Sequence, residues 1–437
     1  MPSLKKLAKK SAYAVMRACP PLRRLIRSNL WAYRGKRYDK LAASVRTDPR
    51  CAVFSSFMGR SYSCSPRAIF EAMQADERFD GFTFYWVFRE DSIEKYRFLE
   101  RDYRNVVLVQ RGTQAHYQAL ARAGYWVTNS RTMEWVRPKP DQVYLQCWHG
   151  TPLKRLGYDI IQGTTNALNS NREMAERYSI EAAKWSYLLS PSRYTTECLV
   201  SAFHLSESFA AHNMLELGYP RNDAIVTTSS NPALTAALRQ RLSEELGFDP
   251  SKKLLLYAPT WRDNKYENGV GYVQDVMIDF DLLQRELADE WVVLFRPHYF
   301  IANSFDFSAY EGFVANAAAV PDINELYCIA DVLMTDYSSV FFDYACTKRP
   351  LLFYMPDLDE YENSIHGFYI DPRTDLPGRI CSATQEVVGA LQDIDSHFDT
   401  YGEQYAAFQE RFCPHEDGRA AQRVVDAVFQ PAVQQRA

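Results

Sequence analysis

The 437-residue sequence predicts an α/β protein in which two Rossmann-like domains face a cleft, preceded by a basic, amphipathic helical arm. Short apolar segments alternate with helical patterns, which is typical of βαβ units around a parallel sheet. The chain is too long for a single hydrophobic core. Four polar clusters each follow an apolar run directly, and open parallel sheets bind ligands outside the carboxyl ends of their strands.

The predicted divisions are the arm at 1–45, a first domain at 46–230, a second at 231–410 and a C-terminal helix and tail at 411–437. Strands are predicted at 51–55, 82–88, 106–109, 126–128, 143–146 and 187–189, then at 254–257, 292–295, 332–334 and 351–354. Helices are predicted at 66–73, 113–122, 169–183, 193–202, 233–246, 279–288, 322–329, 339–347, 383–393 and 417–429.

Charge is distributed unevenly along the chain. Residues 1–40 contain twelve Lys/Arg and one Asp, a net charge of +11, which leaves −15 for the rest of a chain whose net charge is −4. A basic arm on an acidic body is typical of contact with an anionic surface.

The arm itself has two amphipathic stretches separated by Pro20-Pro21, which is expected to end the first helix. In the second, Leu22, Leu25, Ile26 and Leu30 share one side, with arginines on the other. Such helices lie in the headgroup plane of a membrane. The alternatives are packing of the arm on the protein's own acidic body and binding to nucleic acid. The acidic remainder and the lack of a recognised binding module argue against nucleic acid, so none is expected as a partner.

The rest of the composition argues against several classes of protein. With 47% hydrophobic and 14% aromatic residues, the chain can form substantial cores. Nine scattered cysteines without a CxxC pair indicate reduced thiols in the cytosol, and neither Cys nor His shows metal-ligand spacing. No apolar stretch is long enough to cross a bilayer, and no secretory signal is visible. We expect no metal and no cofactor, and no kinase or dinucleotide phosphate loop is present.

The cluster after the strand at 143–146 contains the first candidate base. A neutral His149 at a strand end can accept a proton from an attacking hydroxyl, although a His bonded to a backbone carbonyl in the core is the alternative. Gly150 permits close approach of backbone or substrate. Thr151 and Lys154 supply a hydroxyl and a cation that suit a phosphate.

Two clusters in the second half contain arginines. Arg296 can hold a phosphate with two parallel hydrogen bonds, and His298 follows it either as a site residue or as a structural one. Arg262 follows the strand at 254–257 and is either a phosphate contact or the partner of Asp263 in a surface ion pair.

The last cluster opens a helix. Ser338 and Ser339 either cap that helix or, since its N-terminus points N–H groups at an anion, also bind a pyrophosphate. Asp336 and Asp343 can orient ribose or acceptor hydroxyls, or make bonds at the helix start. Together the four clusters predict a site for an anionic, phosphorylated substrate.

These motifs also carry a resemblance to a known family. CWHGTPLKRLG at 147–157 and YAPTWRD at 257–263 resemble signatures of the CDP-glycerol glycerophosphotransferases of teichoic acid and capsule synthesis, as do DINELY at 322–327 and TDYSSVFFDY at 335–344. The segments RPLLFY at 349–354, GFY at 367–369 and FSSFMGRSYS at 54–63 continue the likeness, which covers about residues 50 to 430.

The resemblance implies a GT-B fold, with an acceptor domain first and a nucleotide-donor domain second. It implies transfer of glycerol phosphate or ribitol phosphate, from CDP-glycerol or CDP-ribitol, to a hydroxyl of a lipid-linked acceptor with release of CMP. It also implies a peripheral position on the cytoplasmic face of the cell membrane. A GT-B glycosyltransferase that uses a nucleotide sugar is the alternative.

Roles for five residues follow from the same resemblance. His149 corresponds to the general base, and His298 lies near the pyrophosphate. Arg262, Ser338 and Ser339 correspond to phosphate contacts.

Overall fold

Two parallel sheets, each covered by helices, form the body of the protein. The computed structural model describes residues 20–161, 171–260, 266–267, 271–272, 277–297, 305–364 and 367–434. The strands are β1 Asp48–Ser55, β2 Thr83–Phe88, β3 Val106–Gln110, β4 Ala123–Thr128, β5 Val143–Gln146, β6 Tyr187–Ser190, β7 Met214–Glu216, β8 Lys253–Ala258, β9 Tyr266–Glu267, β10 Gly271–Tyr272, β11 Trp291–Phe295, β12 Val314–Asn316, β13 Val332–Thr335, β14 Leu351–Tyr354 and β15 Arg379–Cys381. All ten predicted strands are present.

The helices lie between these strands and at the two ends of the described chain. They are α1 Pro20–Ser44, α2 Cys64–Ala75, α3 Phe98–Asp102, α4 Gln114–Arg122, α5 Asn171–Ala182, α6 Arg193–Phe203, α7 Glu207–His212, α8 Asp223–Ser229, α9 Pro232–Leu246, α10 Phe280–Leu287, α11 Ile323–Ile329, α12 Val340–Tyr344, α13 Leu358–Ser364, α14 Pro372–Asp375, α15 Thr384–Gln392, α16 His397–Phe412 and α17 Ala420–Gln434. Alternation of strand and helix confirms the predicted α/β class.

The strand order of both sheets reverses near the middle. The first sheet runs β3-β2-β1-β4-β5-β6-β7 and the second β12-β11-β8-β13-β14-β15, with every neighbouring pair parallel. Each order is that of a doubly wound sheet, in which the crevice at the reversal point binds ligands. In the first sheet this point lies between β1 and β4, and in the second between β8 and β13.

Helices on both faces make the central strands apolar on both sides. Every residue of β4 and of β11 is buried, as parallel sheets require. Trp86 and Trp126 pack in the two clusters on either side of the first sheet.

The two domains exchange segments. The loop after β5 enters the second domain, where Leu153 is part of the hydrophobic core and its carbonyl accepts a hydrogen bond from the Tyr369 N–H. In the opposite direction, α17 returns to the first domain and buries Val424 and Phe429 against it. The C-terminal helix predicted within 411–437 is thus part of the first domain's core.

The described part of the arm is one helix, α1, which packs on the first domain through a basic and aromatic edge. Arg23 is buried and donates to Glu173 at 2.7 Å, while Tyr38 and Ala42 join the core. This edge of α1 therefore packs on the body, which is one of the alternatives predicted from the sequence.

The apolar side of α1 faces solvent. Leu22, Leu25, Ile26 and Leu30 are all exposed, Leu25 by 59%. The predicted first helix of the arm lies outside the described residues. None of the helices within the described ranges has the length and apolarity needed to span a bilayer.

Candidate active site

The loop after β5 presents His149 to the space between the domains. Trp148 adopts a left-handed backbone conformation with φ of +51°, which is strained for a bulky residue. Its N–H donates to the Gln146 side chain at 3.1 Å and its indole ring is buried. The sharp turn leaves His149 exposed to the cleft, directly beyond the strand end.

The hydrogen bond that His149 makes fixes its tautomer. Its Nδ1 lies 2.8 Å from the carbonyl oxygen of Asn129, and because a carbonyl only accepts, Nδ1 carries the proton. The free Nε2 lone pair can then accept a proton from a hydroxyl in the cleft. The alternative to a catalytic role for His149 was a structural histidine bonded to a backbone carbonyl. That hydrogen bond is present, and it also holds the imidazole in the tautomer that a general base needs.

The surroundings keep this imidazole neutral. The ring edge is open to the cleft, but burial of the rest lowers the pKa of His149 below its ordinary 6.5. The hydrogen bond to Asn129 opposes the shift, and the positive charge of Arg221 adds to it.

The pH dependence of kcat/KM tests whether the imidazole of His149 is neutral. We expect kcat/KM to fall only as the pH drops below about 6.5, because the base is lost when His149 is protonated and its pKa is depressed. CMP release would be measured between about pH 5 and 8, with circular dichroism at each pH to exclude unfolding. An acid limb centred above neutrality contradicts the assignment.

Asn129 is a residue of this site that the sequence analysis missed. It is fully buried directly after β4, and its side-chain oxygen accepts from the Phe57 N–H at 2.7 Å while its carbonyl holds His149. It therefore joins the loops after β1, β4 and β5. The signal available in the sequence was its position immediately after a predicted strand.

A cleft of about 460 Å³ lies between the domains at the carboxyl ends of both sheets. Its lining residues come from both domains and are Trp148, His149, Gly150, Thr151, Pro152, Leu153, Lys154, Leu156, Ala258, Pro259, Thr260, Arg296, Pro297, Ile323, Tyr337, Ser338, Ser339 and Val340. Seven of the predicted site residues are thus brought together: His149, Gly150, Thr151, Lys154, Arg296, Ser338 and Ser339.

The loop that carries His149 approaches the start of α12 at Gly150. A Cβ placed on this glycine would lie 3.2 Å from the Ser339 hydroxyl oxygen, so the base-bearing loop and the start of α12 are nearly in contact. Ser339 occupies the N-cap position, but its side chain makes no capping hydrogen bond. The hydroxyl is therefore available to a ligand.

Two cationic residues line the cleft in different ways. The Lys154 ammonium lies 5.2 Å from the centre of the Tyr361 ring. The backbone of Lys154 forms an isolated antiparallel β-bridge with Phe368. Nη1 of Arg296 donates to the carbonyls of Ala317 and Val320, both at 2.7 Å. Within the described residues its Nε and Nη2 N–H groups make no hydrogen bond, so they can still form the predicted two-bond contact with a phosphate.

The two predicted aspartates do not line the cleft. Asp336 is buried and accepts the Thr260 N–H at 2.8 Å, which joins the loops after β8 and β13 much as Asn129 does in the first sheet. Asp343 accepts from Arg221 at 2.8 Å and from Asn222 at 3.2 Å, so it links the domains. Both carboxylates accept hydrogen bonds from the protein, and their contact with a ribose or acceptor hydroxyl stays a prediction.

Thr260 is a second residue missed from the sequence. It lines the cleft, yet its hydroxyl is buried with no hydrogen-bond partner within the described part of the chain. Such a group is costly unless a ligand or water satisfies it. Arg262 and His298, which were predicted to contact the same ligand, lie outside the described residues.

Acidic or thiol clusters suited to a metal ion are not found among the residues that the structure describes. Hydroxyls, a lysine and an arginine around a neutral histidine form an arrangement that can hold an anionic ligand and accept a proton.

Comparison with known families agrees with this chemistry. The family model for CDP-Glycerol:Poly(glycerophosphate) glycerophosphotransferase matches residues 38–430. The chain belongs to this family.

Curated relatives of this glycerophosphotransferase family member are similar over most of the chain. The teichoic acid poly(glycerol phosphate) polymerases of Staphylococcus epidermidis and Bacillus subtilis are 36% and 37% identical, covering 91% and 89% of this chain but 53% and 50% of their own length. The chain thus spans about half the length of these relatives. The teichoic acid glycerol-phosphate transferase of Staphylococcus aureus is 36% identical, with 86% of this chain and 92% of its own length covered.

Solved structures of the family share the fold. The wall teichoic acid polymerase TagF superposes with a TM-score of 0.81 at 33% identity, covering 95% of this chain and 97% of that one. A TagF variant soaked with CDPG superposes with a TM-score of 0.79 at 35% identity, covering 90% and 91%. The GT-B-like architecture inferred for this glycerophosphotransferase family member is therefore confirmed.

Proposed function

We propose that the protein is a glycerophosphotransferase that transfers alditol phosphate from CDP-glycerol, or from CDP-ribitol, to a hydroxyl of a lipid-linked acceptor. CMP is released, and the product belongs to a teichoic acid or a related cell-surface polymer. The observation that carries the proposal is the near contact of the His149 loop with Ser339 across the cleft. It puts a neutral base and an uncommitted hydroxyl at one place, where nucleophile and phosphate must meet.

In the proposed reaction, the acceptor hydroxyl gives its proton to Nε2 of His149 and its oxygen attacks the phosphorus that bears the alditol. The bond from that phosphorus to the CMP oxygen breaks. Ser338, Ser339, Lys154 and the free N–H groups of Arg296 surround the pyrophosphate, with Arg262 and His298 as further proposed contacts. Donors aimed at developing negative charge are usually the largest catalytic contribution.

Glycerol is favoured over ribitol as the alditol. Relatives named for glycerol phosphate reach 36–37% identity over 86–91% of the chain, whereas those named for ribitol phosphate reach 26–33% over 50–67%. The test is incubation of the purified protein with radiolabelled CDP-glycerol or CDP-ribitol and a lipid-linked primer, with product length read on a gel. UDP-sugars in parallel, with UMP or UDP release assayed, test the glycosyltransferase alternative. No CMP release with either CDP-alditol rejects the proposal.

We also propose a peripheral position on the cytoplasmic face of the cell membrane. The exposed Leu22, Leu25, Ile26 and Leu30 form an apolar strip on a basic helix, which suits the headgroup region of an anionic bilayer. Sedimentation with vesicles that contain phosphatidylglycerol tests this position. Equal binding to neutral vesicles, or none, contradicts it.

Metal removal supplies a further prediction. We expect CMP release to persist in excess EDTA, since the cations proposed to surround the pyrophosphate are protein side chains. Parallel assays with and without EDTA, followed by magnesium addition, measure this. Abolition by EDTA and restoration by magnesium would show that a metal supplies the charge.

A further inference from the structure

A second large groove lies on the first domain, between α1 and the loops that follow β3 and β4. Its volume is about 670 Å³, larger than that of the cleft. Side chains that line it include Arg34, Arg37, Tyr38, Gln114, Tyr117 and Trp135. We call it the α1 groove. None of the groups assigned to the proposed reaction lies in it.

The groove has positive charge that no carboxylate within the described ranges of the chain neutralises. Neither Arg34 nor Arg37 pairs with a carboxylate of the described residues. The acid nearest in sequence to Trp135, Glu134, is bonded to Arg177. An anionic occupant is the complement of such a surface.

Each of the two arginines contacts an aromatic ring. The Arg34 guanidinium lies 4.7 Å from the centre of the Trp135 ring, and that of Arg37 lies 5.9 Å from the centre of the Tyr33 ring. A cation–π contact uses no N–H donor in a hydrogen bond, so the donors of the guanidinium remain for a planar or tetrahedral anion. Arginines pre-positioned in this way lose less entropy when they bind an oxyanion.

Tyr38 adds an independent sign of a missing partner. It is only 4% exposed, and its hydroxyl is buried without a hydrogen-bond partner in the described parts of the chain. Buried hydroxyls nearly always have one. The start of α4, at Gln114, adds the positive end of a nine-residue helix to the same groove.

The groove and His149 share one edge of the first sheet. The loop after β4 begins at Asn129, which holds His149, and six residues later supplies Trp135 to the groove. Four strand spacings separate β3 from β5, or about 19 Å. A chain that enters the cleft at His149 can therefore extend along this edge to Arg34 and Arg37.

We propose that the α1 groove binds a phosphodiester of the acceptor, several bonds back from the hydroxyl that reacts. This inference rests on the proposed function, since it names where the lipid-linked acceptor is held. The exposed apolar strip of α1 lies on the same helix as Arg34 and Arg37, so the groove places that phosphate beside the membrane from which the acceptor emerges.

The test compares two double variants with the same change of charge. Arg34→Ala/Arg37→Ala removes the groove cations, and Lys36→Ala/Lys40→Ala removes two exposed cations of α1 that do not line the groove. Initial rates of CMP release are measured with CDP-glycerol and a lipid-linked primer in detergent micelles, which removes the bilayer. We expect the first variant to raise the KM of the primer about 10-fold or more, with kcat and the KM of CDP-glycerol unchanged.

Two further measurements distinguish binding of the acceptor from binding of lipid headgroups. Arg34→Lys/Arg37→Lys, which keeps the charge and the fold, should recover part of the primer affinity. Vesicles of phosphatidylglycerol without primer measure binding to lipid headgroups alone. An unchanged primer KM overturns the inference, as does a loss confined to vesicle binding, which would make the groove a lipid headgroup site. If the unmodified protein releases no CMP at all, the proposed function fails instead.

Discussion

Replacement of His149 by alanine is expected to lower kcat for CMP release by about 10²–10⁴, the range in which a positioned general base contributes. Nδ1 is occupied by the Asn129 carbonyl at 2.8 Å, so Nε2 is the nitrogen that can accept the acceptor's proton. The change removes one hydrogen bond to the Asn129 carbonyl, but the imidazole faces the cleft and belongs to none of the hydrophobic clusters. We therefore expect the loss in rate without a loss in folding.

The control for this change is a second histidine of the same domain. His212 is exposed at the end of α7, away from the residues that line the cleft, and His212→Ala should leave kcat unchanged. Both variants are assayed with CDP-glycerol and a lipid-linked primer at saturating concentrations. Near-normal turnover by His149→Ala would show that another group accepts the proton.

Much of this site could be predicted because it follows from local sequence. Each of the apolar runs at 143–146, 254–257, 292–295 and 332–334 is a buried strand, and parallel strands end at one edge of their sheet. Polar residues directly after such runs therefore meet at that edge. This is why His149 and Ser339, 190 positions apart, were both expected in the cleft, where the structure brings them together.

The features that could not be predicted from the sequence depend on contacts between distant segments. The short edge strands β7, β12 and β15 have three residues each, too few for a periodic signal. The apolar strip of α1 indicated contact with a membrane, but the sequence did not show which residues of the arm would pack on the body. Arg23 is buried there because Glu173, 150 positions away, neutralises it. No local pattern shows that partner.

The position of the second domain relative to the first depends on another such contact. Arg221, after β7, donates to Asp343 on α12 at 2.8 Å, with both side chains largely buried. The carbonyl of Arg221 accepts from Asn324 at the start of α11 at 2.6 Å. Since Ser339 opens α12, this ion pair fixes the helix that carries one side of the cleft against the domain that carries His149.

Arg221→Ala is expected to destabilise the protein by about 3–5 kcal/mol, because it leaves the Asp343 carboxylate without its main partner in a buried place. Arg193→Ala is the matched control. Arg193 also pairs with a carboxylate, Glu197 at 2.7 Å, but both side chains are more than half exposed, and its loss should cost less than about 1 kcal/mol. Urea unfolding followed by circular dichroism measures both free energies.

A double variant that removes both charges separates the ion pair from simple loss of packing. Removal of both charges in Arg221→Met/Asp343→Leu is expected to be less destabilising than Arg221→Ala, since hydrophobic residues of similar volume often replace a buried pair without penalty. The same double variant should still release CMP slowly, because displacement of α12 by about 1 Å relative to His149 can lower the rate about 100-fold. Recovery of stability without recovery of activity would assign the pair to positioning the cleft; recovery of both would show that the pair serves folding alone.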